Sequence, residues 1–449
     1  MPTNLSLLRF PLLLACLSST VALGCLSSTV LHGQDATATN WSRFRGPNGT
    51  GISHATAIPT QWTADDYNWV IKLPGSGHGS PVVVDGKLYV LCGRKETAER
   101  IVVCVDAPTG NIAWQKTFSS KPHRLHPANS YGSSTPAADA QGVVVTWADP
   151  DKLVLLALDP QGNELWKRDL GPYDAINGAG TSPIIVDDVV VLTNIQMDAN
   201  VLVRAGVLPE KFADDDPNSS EIIAVDRKTG KTRWTTPRKT YLASYATPCL
   251  RPLPDGGQEL LFVDSAFGVS GIDPQTGKVN WQTDKLLPTR TVASPVVAGD
   301  LIFGSHGRGT TGEVIYAVRA GSKTQKPQVA YEIRKSAPLT PTLIVKDDLA
   351  FLWSDTGVVT CITASTGETV WRKRVGGNYY GSPVWINQRL YCTDRNGTVV
   401  ILAASKDYEV VARVPLGEPS YATPAVADDT MFLRTETQLM SLGGKSPSR

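Results

Sequence analysis

Ala224-Val-Asp226-Arg-Lys-Thr229-Gly230-Lys-Thr-Arg-Trp234 reads as the end of one strand, a tight turn and the start of a second strand. An Asp side chain in such a turn accepts nearby backbone N–H groups, and Gly takes the left-handed conformation that closes it. The Trp then starts the returning strand with a broad flat face to bury against a neighbouring unit. The spacing recurs at Cys104 to Trp114, Gly271 to Trp281 and Cys361 to Trp371, the last with Thr363 in place of the Asp. Ala157 to Trp166 is one residue shorter and lacks the Thr.

Outward from these turns lies a second repeat. A Ser/Thr-Pro pair opens an apolar strand eight times, with its proline at Pro81, Pro136, Pro183, Pro248, Pro295, Pro341, Pro383 and Pro424. Four short strands with tight turns need about 40–45 residues, the period of a propeller blade. A proline is tolerated at the start of an innermost strand because that strand is a sheet edge. The spacing therefore predicts an all-β fold, an eight-bladed β-propeller of four-stranded antiparallel blades. Trp69, Trp114, Trp166, Trp234, Trp281 and Trp371 are the expected docking residues between blades. Around Arg319 to Tyr331 and Ala403 to Val411 the turn motif is lost, although apolar alternation persists. The last unit, Thr423 to Leu442, is too short for four strands, while Tyr67 to Lys72 reads as an outer strand with no blade before it. The ring is expected to close by pairing the N- and C-terminal strands, since an open ring leaves a blade face unburied.

Lys+Arg total 43 against Asp+Glu 42, so nothing in the charge predicts a nucleic-acid partner or an anionic membrane. Residues 1–33 carry one cation, Arg9, and no acid, and contain the near-duplicate CLSSTVALG–CLSSTVLHG. They read as a signal peptide. A membrane anchor and a lipid on Cys16, after Leu13-Leu14-Ala15, are the alternatives. The expected organisation is signal peptide 1–33, N-terminal extension 34–65, propeller 66–443 and disordered tail 444–449, with a periplasmic or secreted location. Beyond Gly33 there are five cysteines, Cys92, Cys104, Cys249, Cys361 and Cys392. An odd number leaves at least one thiol unpaired within a monomer. Cys92 and Cys104 flank a turn centred near Ala98, and either a cross-strand disulfide or two buried thiols would satisfy that placement.

The A-x-D-x-x-T-G-x-x-x-W spacing resembles the tryptophan-docking motif of the PQQ-like (quinoprotein alcohol dehydrogenase-like) repeat propellers, a group that includes BamB-like proteins. It covers about residues 66 to 443. Trp41-Ser-Arg-Phe-Arg45-Gly46-Pro47-Asn-Gly-Thr-Gly51 is similar to an N-terminal signature of exported PQQ-like repeat proteins. Two functions follow from the resemblance. One is a non-catalytic binding or assembly scaffold of the cell envelope, with a protein partner or a small-molecule or glycan ligand. The other is a PQQ-dependent dehydrogenase of alcohols or sugars. The second implies pyrroloquinoline quinone on the axis, a calcium or lanthanide held by Glu, Asn and Asp, a catalytic Asp, and usually adjacent cysteines over the cofactor. This chain has no adjacent cysteines, and its acids match none of those positions. The expectation is no cofactor, no metal and no catalytic residue, with PQQ and calcium as the alternative. No HExxH, GxSxG or P-loop is present either. Asp214-Asp215-Asp216-Pro217-Asn218 lacks the alternating ligands and Gly of a calcium loop and reads as a solvated acidic loop.

In an up-and-down blade, the loops entering strand one and joining strands two and three share one face, and the Thr-Gly turns share the other. Both long departures from the minimal repeat, Gln115 to Ser134 and Asn194 to Ser220, fall on the first face, where binding loops over a rigid scaffold belong. Just before the Ser/Thr-Pro pairs, small residues (Gly79, Ala246, Ala293, Gly381, Ala422) follow His78, Tyr245, Tyr380 and Tyr421. These, with Arg290, His306 and Arg308, are the expected rim of the axial channel, suited to a peptide, an anion or a glycan. The alternative is that each Tyr packs against the next blade and bonds its backbone. A Glu–Asn–Asp cluster over a Trp floor would point instead to the dehydrogenase.

Overall fold

The structure is a computed structural model that describes residues 40–204, 220–238, 240 and 242–444. The signal-peptide and Cys16 readings, the 214–218 acidic loop and the 445–449 tail fall outside those residues. Eight four-stranded antiparallel blades form the ring. From the axis outward the first contains Val82–Val84, Lys87–Gly93, Arg100–Asp106 and Ile112–Phe118. The next six repeat it, with innermost strands starting at Ala137, Ile184, Cys249, Val296, Ile344 and Val384. The eighth takes Ala425–Ala427, Thr430–Arg434 and Gln438–Gly443 from the C-terminal end and its outer strand, Tyr67–Lys72, from the N-terminal side. Trp69 pairs with Ser441 and Ile71 with Leu439, so the ring is closed by joining the two ends of the propeller as the sequence predicts.

Burial follows position in the blade. Middle strands such as Arg100–Asp106 and Lys152–Leu158 are buried almost throughout, because each is flanked by blades on both faces and reads as a continuous apolar run. Outer strands are largely exposed, with the tryptophan buried, as in Glu164–Asp169 and Thr232–Pro237. In every blade the outer strand carries an extra residue immediately before the docking position. Such a bulge re-aims the side chain that follows it. The indole N–H of Trp69 then donates to Ala107 O, Trp114 to Pro160 O, Trp166 to Arg227 O, Trp234 to Pro274 O and Trp371 to Ser405 O, at 2.9–3.1 Å. Each acceptor belongs to the next blade. Trp281 differs, donating to Glu259 Oε2 of its own blade at 2.9 Å.

The degenerate blades keep the bulge and change the residue. In the fifth, Tyr331 takes the docking place and its hydroxyl donates to Ala364 O of the next blade. In the seventh, Ala412 occupies it. The turn lacking its Asp at Thr363 borrows one, since Asp348 accepts both the amide and the hydroxyl of Ser365.

Of the two alternatives for Cys92 and Cys104, the structure has the buried thiols, and the expected opening of the sixth blade needs correction. Cys92 lies opposite Ile101 and Cys104 opposite Tyr89, so the two thiols cannot bridge. The hairpin turn runs from Arg94 to Glu99, which moves its centre ahead of Ala98 and offsets the register. The five cysteines among the described residues are all buried and free. In the sixth blade Thr340-Pro341 is not the strand opening. Thr342 and Leu343 hold the positions that Ser80 and Pro81 hold in the first blade, two residues before the innermost strand. No helix among the described residues is long and apolar enough to cross a membrane.

Candidate functional site

Each innermost strand is preceded by a Ser or Thr, and in all but Thr247 the hydroxyl accepts the backbone N–H of the corresponding residue in the preceding blade. Seven such bonds run round the axis among the described residues. Ser80 N donates to Thr135, Thr135 N to Ser182, Thr247 N to Ser294, Ser294 N to Thr342, Thr342 N to Ser382, Ser382 N to Thr423 and Thr423 N to Ser80, all at 2.9–3.1 Å. This is why the repeat needs Ser or Thr there, and it holds eight chain segments at a common height.

Two residues before each of those hydroxyls lies one side-chain position per blade. In blade order it holds His78, Ser133, Gly180, Tyr245, Val292, Thr340, Tyr380 and Tyr421, and all eight line one axial cavity of about 230 Å³. Below them the wall is formed by Ser80, Thr135, Ser182, Thr247 and Thr423. The long loop entering the second blade contributes His126, Ala128 and Asn129, and the hairpin tip of the fifth contributes Gly309 and Thr310. Of the seven rim candidates, the structure brings His78, Tyr245, Arg290, Tyr380 and Tyr421 together around this cavity. His306 and Arg308 are not in its lining. His306 is buried, shares a hydrogen bond of 2.6 Å with Thr289 Oγ1 and stacks on Tyr316. Arg308 is exposed and pairs with Glu313 at 3.3 Å. The strand Leu301–Arg308 bulges between His306 and Gly307, which puts Gly309 and Thr310, not Arg308, over the cup.

The cavity is closed from below by the segment that carries the N-terminal signature Trp41 to Gly51. Residues 40–53 enter from the face of the Thr-Gly turns and cross the ring. Trp41 pairs with Val83 of the first blade, and Ser42 O accepts Ala138 N of the second at 2.8 Å. Arg43 donates to Pro248 O, and Asn48 exchanges two 2.7 Å bonds with Leu250, both beside the fourth blade. Arg45 is fully buried and donates to Thr342 O, Leu343 O, Gly49 O and Thr50 O at 2.5–3.1 Å. Ile52–Ser53 ends the crossing as a parallel partner of Val384–Ile386. Burial lowers the Arg45 pKa to about 9 and that of Arg43 to about 10, so both remain charged at neutral pH. Carbonyl oxygens replace the water that these cations lose. Phe44, between the two arginines, is the floor of the cup.

One side of the cup is an aromatic shelf. His78 stacks on Tyr421 with ring centroids 4.0 Å apart, and Tyr380 lies 5.9 Å from Tyr421. The Arg395 guanidinium carbon sits 4.8 Å from the Tyr380 centroid and 5.4 Å from that of Tyr421, within cation–π range. Burial first, then the charges of Arg434 and Arg395, lower the His78 pKa to about 4. His126 is lowered by burial and by Arg290 and Arg395. The His78 imidazole is therefore neutral at pH 7. On the other side Tyr245 is partly buried, and desolvation of its hydroxyl pushes the pKa up to about 12. Arg290 donates to Gly309 O, and its Nε is buried without a partner.

These residues do not fit calcium and PQQ. No Asp or Glu lines the cup, no group of three or more potential metal-ligating His, Cys, Asp or Glu side chains exists among the described residues, and the floor is Phe rather than Trp. Asp355 and Asp394 stand behind the wall, accepting backbone amides of Leu339 and Thr340, and of Asn396 and Thr398.

No curated protein sequence matches the chain. Among solved structures, BamB from Moraxella catarrhalis is similar at 17% identity and TM-score 0.58, over 85% of this chain and 98% of that one. The computationally designed Ika8 protein is 11% identical with TM-score 0.53, over 83% and 98%. A europium-containing methanol dehydrogenase is 14% identical with TM-score 0.48, over 89% of each chain. At such identities the likeness concerns the fold. The family described as outer membrane protein assembly factor BamB matches over residues 53–203, 98–373, 320–408 and 357–442. Those matches span nearly the whole ring, and the chain therefore belongs to that BamB family of PQQ-like repeat propellers.

Proposed function

We propose that this protein is a non-catalytic binding scaffold of the cell envelope, engaging a ligand or protein partner through the axial cup. The observation that carries the reading is the cup itself. Eight equivalent positions converge on one cavity, closed below by Phe44, with binding chemistry on its walls and no carboxylate to hold a metal or take a proton. The family's description, an outer membrane assembly factor, supports an envelope location, as does the leader-like composition of residues 1–33. Association with a membrane would require a lipid on Cys16.

The test uses protein purified from an envelope fraction. Amino-terminal sequencing should find a start near residue 34, and an intact leader on the mature protein would refute the export reading. Protein incubated with PQQ and calcium should retain no stoichiometric cofactor and show no dye-linked oxidation of alcohols or sugars. Turnover would overturn the scaffold reading. Partner capture should be lost in Tyr421→Ala and Arg290→Gln variants that keep the wild-type thermal midpoint, and capture insensitive to both would move the interface away from the cup.

A further inference from the structure

We propose that the axial cup takes an anionic sugar, a single ring bearing a carboxylate or a sulfate; this rests on the cup being the binding site. Three features select that chemistry. The first is charge. No acid lines the cavity, and Arg290 lies in its wall. Arg395 is not in the lining; it lies against the rings of the aromatic shelf and adds positive charge near the cavity without facing it. Neither guanidinium has an ion pair among the described residues, and each has a buried Nε without a partner. The Arg290 guanidinium, in the wall, is matched by a carboxylate or a sulfate group.

The second feature is the direction of the wall hydroxyls. Ser80, Thr135, Ser182 and Thr423 each already accept an amide of a neighbouring blade. What each has left to give is its own O–H, which has no acceptor among the described residues. A ring of uncommitted donors favours a ligand rich in acceptor oxygens. Asn177 adds a side-chain amide to the lining.

The third is shape. Tyr421, backed by His78 and flanked by Tyr380, presents a flat face against which the C–H side of a sugar ring can pack. The cavity of about 230 Å³ falls below the roughly 300 Å³ at which drug-sized pockets begin. Phe44 blocks passage below. A single ring fits these limits, whereas a chain that must continue through the axis does not.

Isothermal titration of the intact protein with the matched set glucose, glucuronate and a glucose sulfate ester tests the proposal. At least one anionic sugar should bind, with glucose at least about tenfold weaker, the loss expected when a charge-assisted hydrogen bond is missing. The two anionic arms tell carboxylate from sulfate. Affinity should fall with ionic strength, a readout that needs no variant. Arg290→Gln should weaken the anion by about ten- to a hundredfold, and Tyr421→Ala should weaken anion and glucose alike. Glucose binding as well as the anions, or no heat from either anion at millimolar concentration, overturns the proposal. If neither anion binds while partner capture still depends on Tyr421 and Arg290, the sugar assignment falls and the scaffold reading stands. Turnover with PQQ removes both.

Discussion

Replacing Gly230 with Ala should cost far more than the same change at Gly171, although both glycines have left-handed backbones, φ 67° and 80°. A Cβ at Gly230 would lie 2.6–2.9 Å from Cδ2, Cε3 and Cγ of Trp166. A Cβ at Gly171 would meet nothing within 4 Å. Alanine in this conformation costs about 1–2 kcal/mol at either site. At Gly230 the indole must also shift, and it is fixed by the 2.9 Å bond to Arg227 O, worth about 0.5–1.5 kcal/mol. Arg168, on the same strand, donates to Gly230 O and is displaced with it. Adding lost packing around a nearly buried Trp, the structure predicts about 3–4 kcal/mol for Gly230→Ala against about 1 kcal/mol for Gly171→Ala. Urea denaturation followed by far-UV circular dichroism measures both, and a Trp166→Phe background should shrink the difference. Equal midpoints for the two variants would refute the claim that the turn glycine exists to seat the neighbouring tryptophan.

Three further outcomes are expected. Arg45→Met removes the donor to four carbonyl oxygens and should destabilise by about 2–4 kcal/mol, with faster amide exchange in residues 41–53; unchanged exchange would show that Arg45 does not hold the plug. His78, with a folded pKa near 4 against 6.5 unfolded, leaves the unfolded chain to bind the proton first as pH falls. Stability should then decline between pH 6.5 and 4, by on the order of 2 kcal/mol after allowance for partial exposure. His78→Gln should flatten that part of the curve, and an identical slope in the variant would remove His78 as the cause. Cys92 and Cys104 should resist a thiol reagent in the native protein and both be alkylated without reductant after unfolding, as mass mapping can read; a linked pair of peptides would contradict the register.

Blade number and ring closure are legible in the sequence because their causes are local and repeated. A turn needs its Asp and Gly within a few residues, and the ring hydroxyl recurs once per blade. Even Pro341, displaced from its expected place, leaves the count intact, because Thr342 restores the hydrogen bond. The plug is illegible for the opposite reason. Arg45 meets Thr342 and Asn48 meets Leu250 across hundreds of residues, and no periodicity announces such contacts. Within the cup, His78, Tyr245, Tyr380 and Tyr421 stand out because they are large at a fixed offset from the repeat. Ser133, Gly180, Val292 and Thr340 occupy the same offset and pass unnoticed because they are small.

That mixture of sizes shapes the cup. Large residues stand on the fourth, seventh, eighth and first blades, and small ones on the second, third, fifth and sixth. Over the second and third, the room left by Ser133 and Gly180 is taken by the long entry loop, where Asn129 donates to Asn177 O at 2.6 Å and Ala179 O at 3.0 Å. Over the fifth and sixth, Val292 and Thr340 leave space beneath the hairpin tip at Gly309 and Thr310. The open volume therefore lies between an aromatic shelf and a polar wall, not at the centre of a symmetric ring. The hydroxyl bonds beneath fix the backbone at each of the eight positions whatever side chain it bears. Specificity can thus change one blade at a time without disturbing the packing of tryptophans at the periphery, which separates what this fold needs from what its site selects.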